Sequence, residues 1–146
     1  MAAVCGIDEA GRGPVLGPLV LAGALMDDTQ ISRLQNIGVK DSKLLSPLQR
    51  ERLFNQIIKI VSGYEILQVP PAIIDEWVLA PTKNNNLNWL EAVKSAEIIN
   101  KLQPEIAVVD CPSNNITAYS RYLRNKLENK KIHLVCEHKA DATYVI

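Results

Sequence analysis

The chain opens on a short apolar run, Ala2 to Ile7, that ends in two consecutive carboxylates, Asp8 and Glu9, followed by Ala10-Gly11-Arg12-Gly13-Pro14. A run of this length bounded by turn residues reads as a buried strand, so both acids fall at a strand end. Adjacent acids there repel each other and are costly to desolvate, which calls for a positive partner, a divalent metal first among them. Gly11 and Gly13 let the backbone approach a bulky ligand, and the planar fork of Arg12 suits a phosphate. The plainer alternative is that Asp8 and Glu9 merely open a surface turn, a common use of acidic residues. The Gly-Arg-Gly-Pro sequel weighs against it.

Two familiar phosphate loops do not fit. A P-loop closes on Gly-Lys-Ser or Gly-Lys-Thr, and no such pair follows Gly17; a dinucleotide fingerprint needs a third glycine where Leu16 stands. Both also lead into a helix. Here Val15 to Leu25 is rich in branched residues, is interrupted by Gly17, Pro18 and Gly23, and reads as a second strand. The opening unit is therefore strand, ligand loop, strand.

Composition narrows the class. With 146 residues, 47% hydrophobic and 22% charged, the chain suits one domain with a real core rather than a disordered tail. Acids and bases balance at 16 each, so nucleic-acid affinity must come from a local patch. The longest apolar run, Val15 to Met26, falls well short of the roughly 20 residues of a membrane helix, and no secretory signal precedes it. A cytoplasmic protein without a membrane partner is expected. Cys5, Cys111 and Cys136 lack C-x-x-C spacing and read as small buried thiols; a Cys5 to Cys111 bridge between neighbouring strands is the lesser alternative.

Downstream, Asp27 to Gln30 reads as a polar turn and Ile31 to Asn36 as a short helix closed by Gly38. Lys40 and Lys43 then bracket Asp41-Ser42 in a loop. Ser46-Pro47 is an N-cap followed by proline, predicting a helix from Pro47 to Ile60 with Leu48, Leu53, Ile57, Ile58 and Val61 on its apolar side. Tyr64 to Val69 is a third strand, Ala72 to Leu79 a short helix, Pro81 to Asn86 a polar loop, and Asn88 to Leu102 a long helix. Ile106 to Asp110 repeats the opening design: an apolar strand that delivers a carboxylate at its end. Ile116 to Leu127 is a third long helix whose Arg121, Arg124 and Lys126 read as a solvated face. Lys131 to Cys136 is a fifth strand, after which Glu137-His138-Lys139-Ala140-Asp141 places another acid past a strand end. His138 reads as a surface or supporting histidine rather than a general base or ligand.

No repeat or linker divides the chain. Short connections followed by helical crossovers predict an α/β fold with a mixed sheet, an antiparallel meander and then parallel strands. Ligands gather at the C-terminal ends of parallel strands, where Asp8, Glu9, Asp110 and Asp141 all fall. Hard oxygen donors of this kind suit Mg²⁺ or Mn²⁺, and two such ions about 4 Å apart support in-line displacement at phosphorus. Phosphodiester cleavage is the chemistry indicated. Unrelated surface acids are the alternative.

Gly6-Ile7-Asp8-Glu9-Ala10-Gly11-Arg12-Gly13-Pro14 with Gly17-Pro18 resembles the signature of type 2 ribonuclease H, the ribonuclease HII family, especially its archaeal branch. Further matches follow in the family's order: Lys40-Asp41-Ser42-Lys43-Leu44 with Arg50-Glu51, Asn86-Leu87-Asn88, Val109-Asp110, and Glu137-His138-Lys139-Ala140-Asp141. The resemblance covers almost the whole chain. It implies a ribonuclease H-like fold with a five-stranded mixed sheet in one catalytic domain over residues 1–146. It also implies an endonuclease that cuts RNA in RNA/DNA hybrids, or ribonucleotides embedded in duplex DNA, leaving 5′-phosphate and 3′-hydroxyl ends; a monomer is expected. Its metal-binding acids carry over to Asp8, Glu9, Asp110 and Asp141. Its sensor of the ribose 2′-hydroxyl carries over to Gly11, Arg12 and Gly13, in keeping with the 2′-hydroxyl as the mark of RNA. Lys40, Ser42 and Lys43 are implied as contacts to backbone phosphates.

Family members continue past the fourth acid with a long helix and a helical segment that supplies a recognition tyrosine and basic residues. Residues 142–146 amount to about one helical turn, and Tyr144 does not correspond to that tyrosine. A chain truncated relative to the family, with weakened substrate grip, is the expectation. Its rivals are a non-catalytic hybrid-binding fragment and a resolvase- or transposase-like nuclease. The Gly11-Arg12-Gly13 loop opposes the latter, since those enzymes need not find a 2′-hydroxyl.

Overall fold

The computed structural model describes residues 2–10, 18–40, 42–79 and 87–138, with the side chains of Ser42 and Leu79 outside the description. Among these residues five strands form one sheet in the order β3-β2-β1-β4-β5, comprising β1 (Val4–Ala10), β2 (Leu19–Met26), β3 (Gly63–Val69), β4 (Ile106–Asp110) and β5 (His133–Glu137). β1 pairs antiparallel with β2, and β2 with β3; β4 runs parallel to β1, and β5 parallel to β4. This is the mixed sheet that the connection lengths predict.

β1 runs further than expected. It includes Asp8, Glu9 and Ala10, because β2 continues to pair with it as far as Ala10 opposite Val20. The two acids are strand residues and not the start of a turn, and the pleat sends them to opposite faces.

The helices are α1 (Asp28–Asn36), α2 (Pro47–Ile60), α3 (Pro71–Leu79), α4 (Leu87–Leu102) and α5 (Ile116–Lys126), with a 3-10 turn at Ser42–Leu44. α1 starts three residues before the expected Ile31, since Asp27 and Gln30 form a reciprocal capping box: each side chain accepts the other's backbone N–H, both at 2.9 Å. Ser46 and Gln49 repeat the device at α2, with Pro47 at the first helical position.

α3, α4 and α5 cover one face of the sheet. There Cys5, Ile7, Leu19, Leu21, Val69, Ala107, Val109 and Leu134 meet Leu90, Ala96, Ile98, Ile99, Tyr119 and Leu123 in the main core. Gly23 of β2 belongs to this face: a Cβ there would overlap Cγ2 of Ile98, so the helix seats directly on backbone. On the other face a small core of Met26, Leu34 and Ile60 holds α1 and the C-terminal end of α2. The rest of α2 stands off the sheet, and Leu48, expected on its apolar side, is 58% exposed.

Candidate metal and substrate site

The site begins with two parallel strands. The β1–β4 register ends with Ile7 opposite Val109, and Asp8 and Asp110 are the next residue of each strand, at the same end of both. Neighbouring strands lie about 4.8 Å apart, so side chains on the same face at this row are within reach of a shared ion. The same row continues outward to Ala22 and Ile66 on one side, and to Glu137, the register partner of Asp110, on the other.

Asp8 is exposed and its Oδ1 accepts the backbone N–H of Glu9 at 2.8 Å. Its neighbours Gly6, Ala22 and Ala24 are small, which leaves room above it. A cleft of about 190 Å³ opens between this part of the sheet and α2, lined by Gly6, Asp8, Ala22, Ala24, Phe54, Ile57 and Ile66 among others. Asp8 and Tyr64 are its only described lining residues with a polar side chain.

Glu9 is partly buried and projects to the α4 side. There the buried Tyr119 phenol, stacked near Trp89, has its ionisation pushed up by burial first and then by the charges of Glu91, Cys136, Cys111 and Glu9. Glu91 is itself buried at 2% exposure. Nothing in the linear sequence connects Glu91 to Glu9; helix periodicity placed it only on α4.

Asp110 leads into a loop whose backbone is tied down atom by atom. The Cys111 N–H donates to the Glu137 carbonyl at 2.9 Å, its carbonyl lies 3.2 Å from His138 Nδ1, and its thiol donates to the Ser113 carbonyl at 3.4 Å. Asn115 then caps α5 by accepting the Ala118 N–H at 3.0 Å.

Of the other expected residues, Lys40 is exposed after α1, Lys43 is exposed in the 3-10 turn, and Ser42 begins that turn. Gly11, Arg12, Gly13, Asp41 and Asp141 lie outside the described residues. Among the described residues no group of three His, Cys, Asp or Glu side chains converges as a metal cage. The donor set that the strands do bring together, the hard carboxylates of Asp8 and Asp110 with small neighbours around them, fits an oxygen-preferring divalent ion.

Two sequence readings of side chains also resolve here. Arg124 is not simply solvated: its Nη1 donates to the carbonyls of Lys130 and Ile132 at 3.2 and 3.1 Å, fixing the turn into β5. The three cysteines are free thiols. No described helix is long and apolar enough to cross a membrane.

The five-stranded mixed sheet with acids at its parallel strand ends is a ribonuclease H-like α/β fold. The crystal structure of the ribonuclease H2 from Pyrococcus horikoshii OT3 superposes with a TM-score of 0.86 at 42% identity, over 99% of this chain and 66% of that one. Ribonuclease HII in the PCNA:RNase HII complex from Archaeoglobus fulgidus gives 0.83 at 44% identity, over 97% and 65%. The ribonuclease HII family profile matches residues 5–146, and the chain belongs to that family. The ribonuclease HII of Pyrococcus horikoshii is 42% identical over 145 residues, 98% of this chain and 63% of that protein. The chain thus spans a little over 60% of the length of such relatives.

Proposed function

We propose that this chain carries the catalytic sheet of a metal-dependent endoribonuclease that hydrolyses RNA in RNA/DNA hybrids and at ribonucleotides embedded in duplex DNA. The observation that supports it most is the parallel β1–β4 register, which ends at Ile7 and Val109 with Asp8 and Asp110 next in each strand, in a member of the ribonuclease HII family. Asp8, Glu9, Asp110 and Asp141 would hold Mg²⁺ or Mn²⁺. Two such ions, held there, would supply an activated water and stabilise the leaving oxygen.

The protein's own part is placement. β1 and β4 would hold two carboxylates at the same end of adjacent strands, and the small residues around Asp8 would leave space for a phosphodiester. Gly11, Arg12 and Gly13 would read the 2′-hydroxyl and its adjacent phosphate, while Lys40, Ser42 and Lys43 bind flanking phosphates. The products would be 5′-phosphate and 3′-hydroxyl ends, in keeping with a monomeric cytoplasmic enzyme of ribonucleotide removal during DNA replication and repair.

The test is a cleavage assay in Mg²⁺ or Mn²⁺ on duplexes carrying one ribonucleotide, a longer RNA stretch, or DNA alone, beside Asp8→Asn. Cutting confined to RNA-containing duplexes and lost in Asp8→Asn supports the proposal. Binding without cutting would mark a non-catalytic fragment, and cutting of the all-DNA duplex would place the chain with a different nuclease class.

A further inference from the structure

We infer that His138 is a positioning residue for Asp110, acting through the backbone of Cys111; this rests on the metal-dependent reading above. The parallel ladder between β4 and β5 runs one bond past the strand, with Cys111 N–H on the Glu137 carbonyl at 2.9 Å. The very next residue of β5's exit, His138, places Nδ1 3.2 Å from the Cys111 carbonyl. Both polar groups of the Cys111 backbone are therefore gripped by consecutive residues of the adjoining strand.

A carbonyl only accepts, so Nδ1 carries the proton in this contact. The ring spans from an exposed position to a buried one, since Cys111 is only 4% exposed. The carbonyl that His138 approaches belongs to the Cys111–Pro112 peptide and the N–H that the Glu137 carbonyl holds belongs to the Asp110–Cys111 peptide; with Pro112 restricting Cys111 to extended backbone, the two contacts together fix φ and ψ of the residue that follows Asp110. Losing the His138 contact would free Cys111 to turn and, through its N–H, loosen the Asp110–Cys111 peptide that carries the Asp110 carboxylate. An ion held by Asp110 would be sensitive to such a shift, and groups that orient metal ligands typically contribute about 10-fold to 100-fold in metal affinity.

The experiment compares the parent chain with His138→Ala, His138→Asn and His138→Gln. Asn places an amide N–H close to the position of Nδ1; Gln places it near Nε2. Mn²⁺ binding is read by calorimetry and by the electron paramagnetic resonance spectrum of the bound ion, and exchange of the Cys111 amide by NMR, alongside cleavage. His138→Ala is expected to weaken Mn²⁺ binding about 10-fold, alter the bound-ion spectrum and speed Cys111 exchange, with Asn restoring most of each and Gln little. If the parent binds Mn²⁺ and the Ala variant binds it equally with the same spectrum, the inference fails alone. Rescue by Gln but not Asn also overturns it, and does so even if the Ala variant does not fold. A parent chain that neither binds Mn²⁺ nor cleaves would remove the metal reading and this inference together.

Discussion

Gly23 carries more of the fold than its lack of a side chain suggests. A Cβ on it would overlap Ile98 Cγ2 and stand 3.5 Å from both Cys5 Sγ and Ile7 Cγ1, so Gly23→Ala pushes α4 off the sheet. The expected cost is roughly 1–3 kcal/mol, typical of overpacking a filled core. Urea denaturation should register it, and Ile98→Ala in the same chain should recover part of the loss; strict additivity of the two would refute the contact. The thiols make a second residue-scale case. Burial pushes Cys5 from 9.0 up to about 12 and Cys136 up to about 11. The unfolded thiols ionise first, so the stability these groups contribute is complete below pH 9 and is lost as pH rises through the folded values. The slope is about 1.4 kcal/mol per pH unit for each thiol. Urea midpoints at pH 8, 9 and 10 should fall more steeply for the parent than for Cys5→Ala. The acids themselves were legible one by one, since Asp8, Glu9 and Asp110 each end an apolar run. That Asp8 and Glu9 face opposite ways was not, because the paired length of β1 depends on β2. Glu91 was hidden for a related reason: its approach to the Tyr119 and Glu9 region depends on how two helices pack, which periodicity alone does not specify.

At the scale of elements, the helices were readable where local chemistry announces them. Ser46-Pro47 set the start of α2 to the residue, and Ile106–Asp110 emerged with the expected bounds. α1 began early because the Asp27–Gln30 box works through side-chain geometry that a hydrophobic period cannot reveal. α2 depends heavily on its cap, since only Ile60 of its residues is buried. Ser46→Ala should therefore cost about 1 kcal/mol and fray the first turn. Amide exchange at Gln49, whose N–H now donates to Ser46 Oγ at 3.2 Å, is the direct readout; protection unchanged in the variant would rule the cap out as a support. The edges of the sheet and the exposed Phe54, Tyr64 and Ile66 around the cleft were not predictable, as they express which face α2 fails to cover.

Across the whole molecule, the two cores differ in size and should differ in stability. The large one binds β1, β2, β4 and β5 to α4 and α5, whereas the small one rests on Met26, Leu34 and Ile60. Native-state hydrogen exchange should find α1 and α2 opening at low denaturant as a unit, with β1 and β4 amides protected until global unfolding. Simultaneous exchange of both groups would contradict this. The order β3-β2-β1-β4-β5 also has a kinetic side. β1, β2 and β3 pair between near neighbours in the chain, but β4 reaches β1 across about a hundred intervening residues, and pairings of that span close slowly. Until it arrives, Val4 to Ile7 is an open edge that the β4 of another copy fits equally well. Refolding at high protein concentration should therefore yield strand-exchanged dimers, each holding one chain's Asp8 against the other's Asp110.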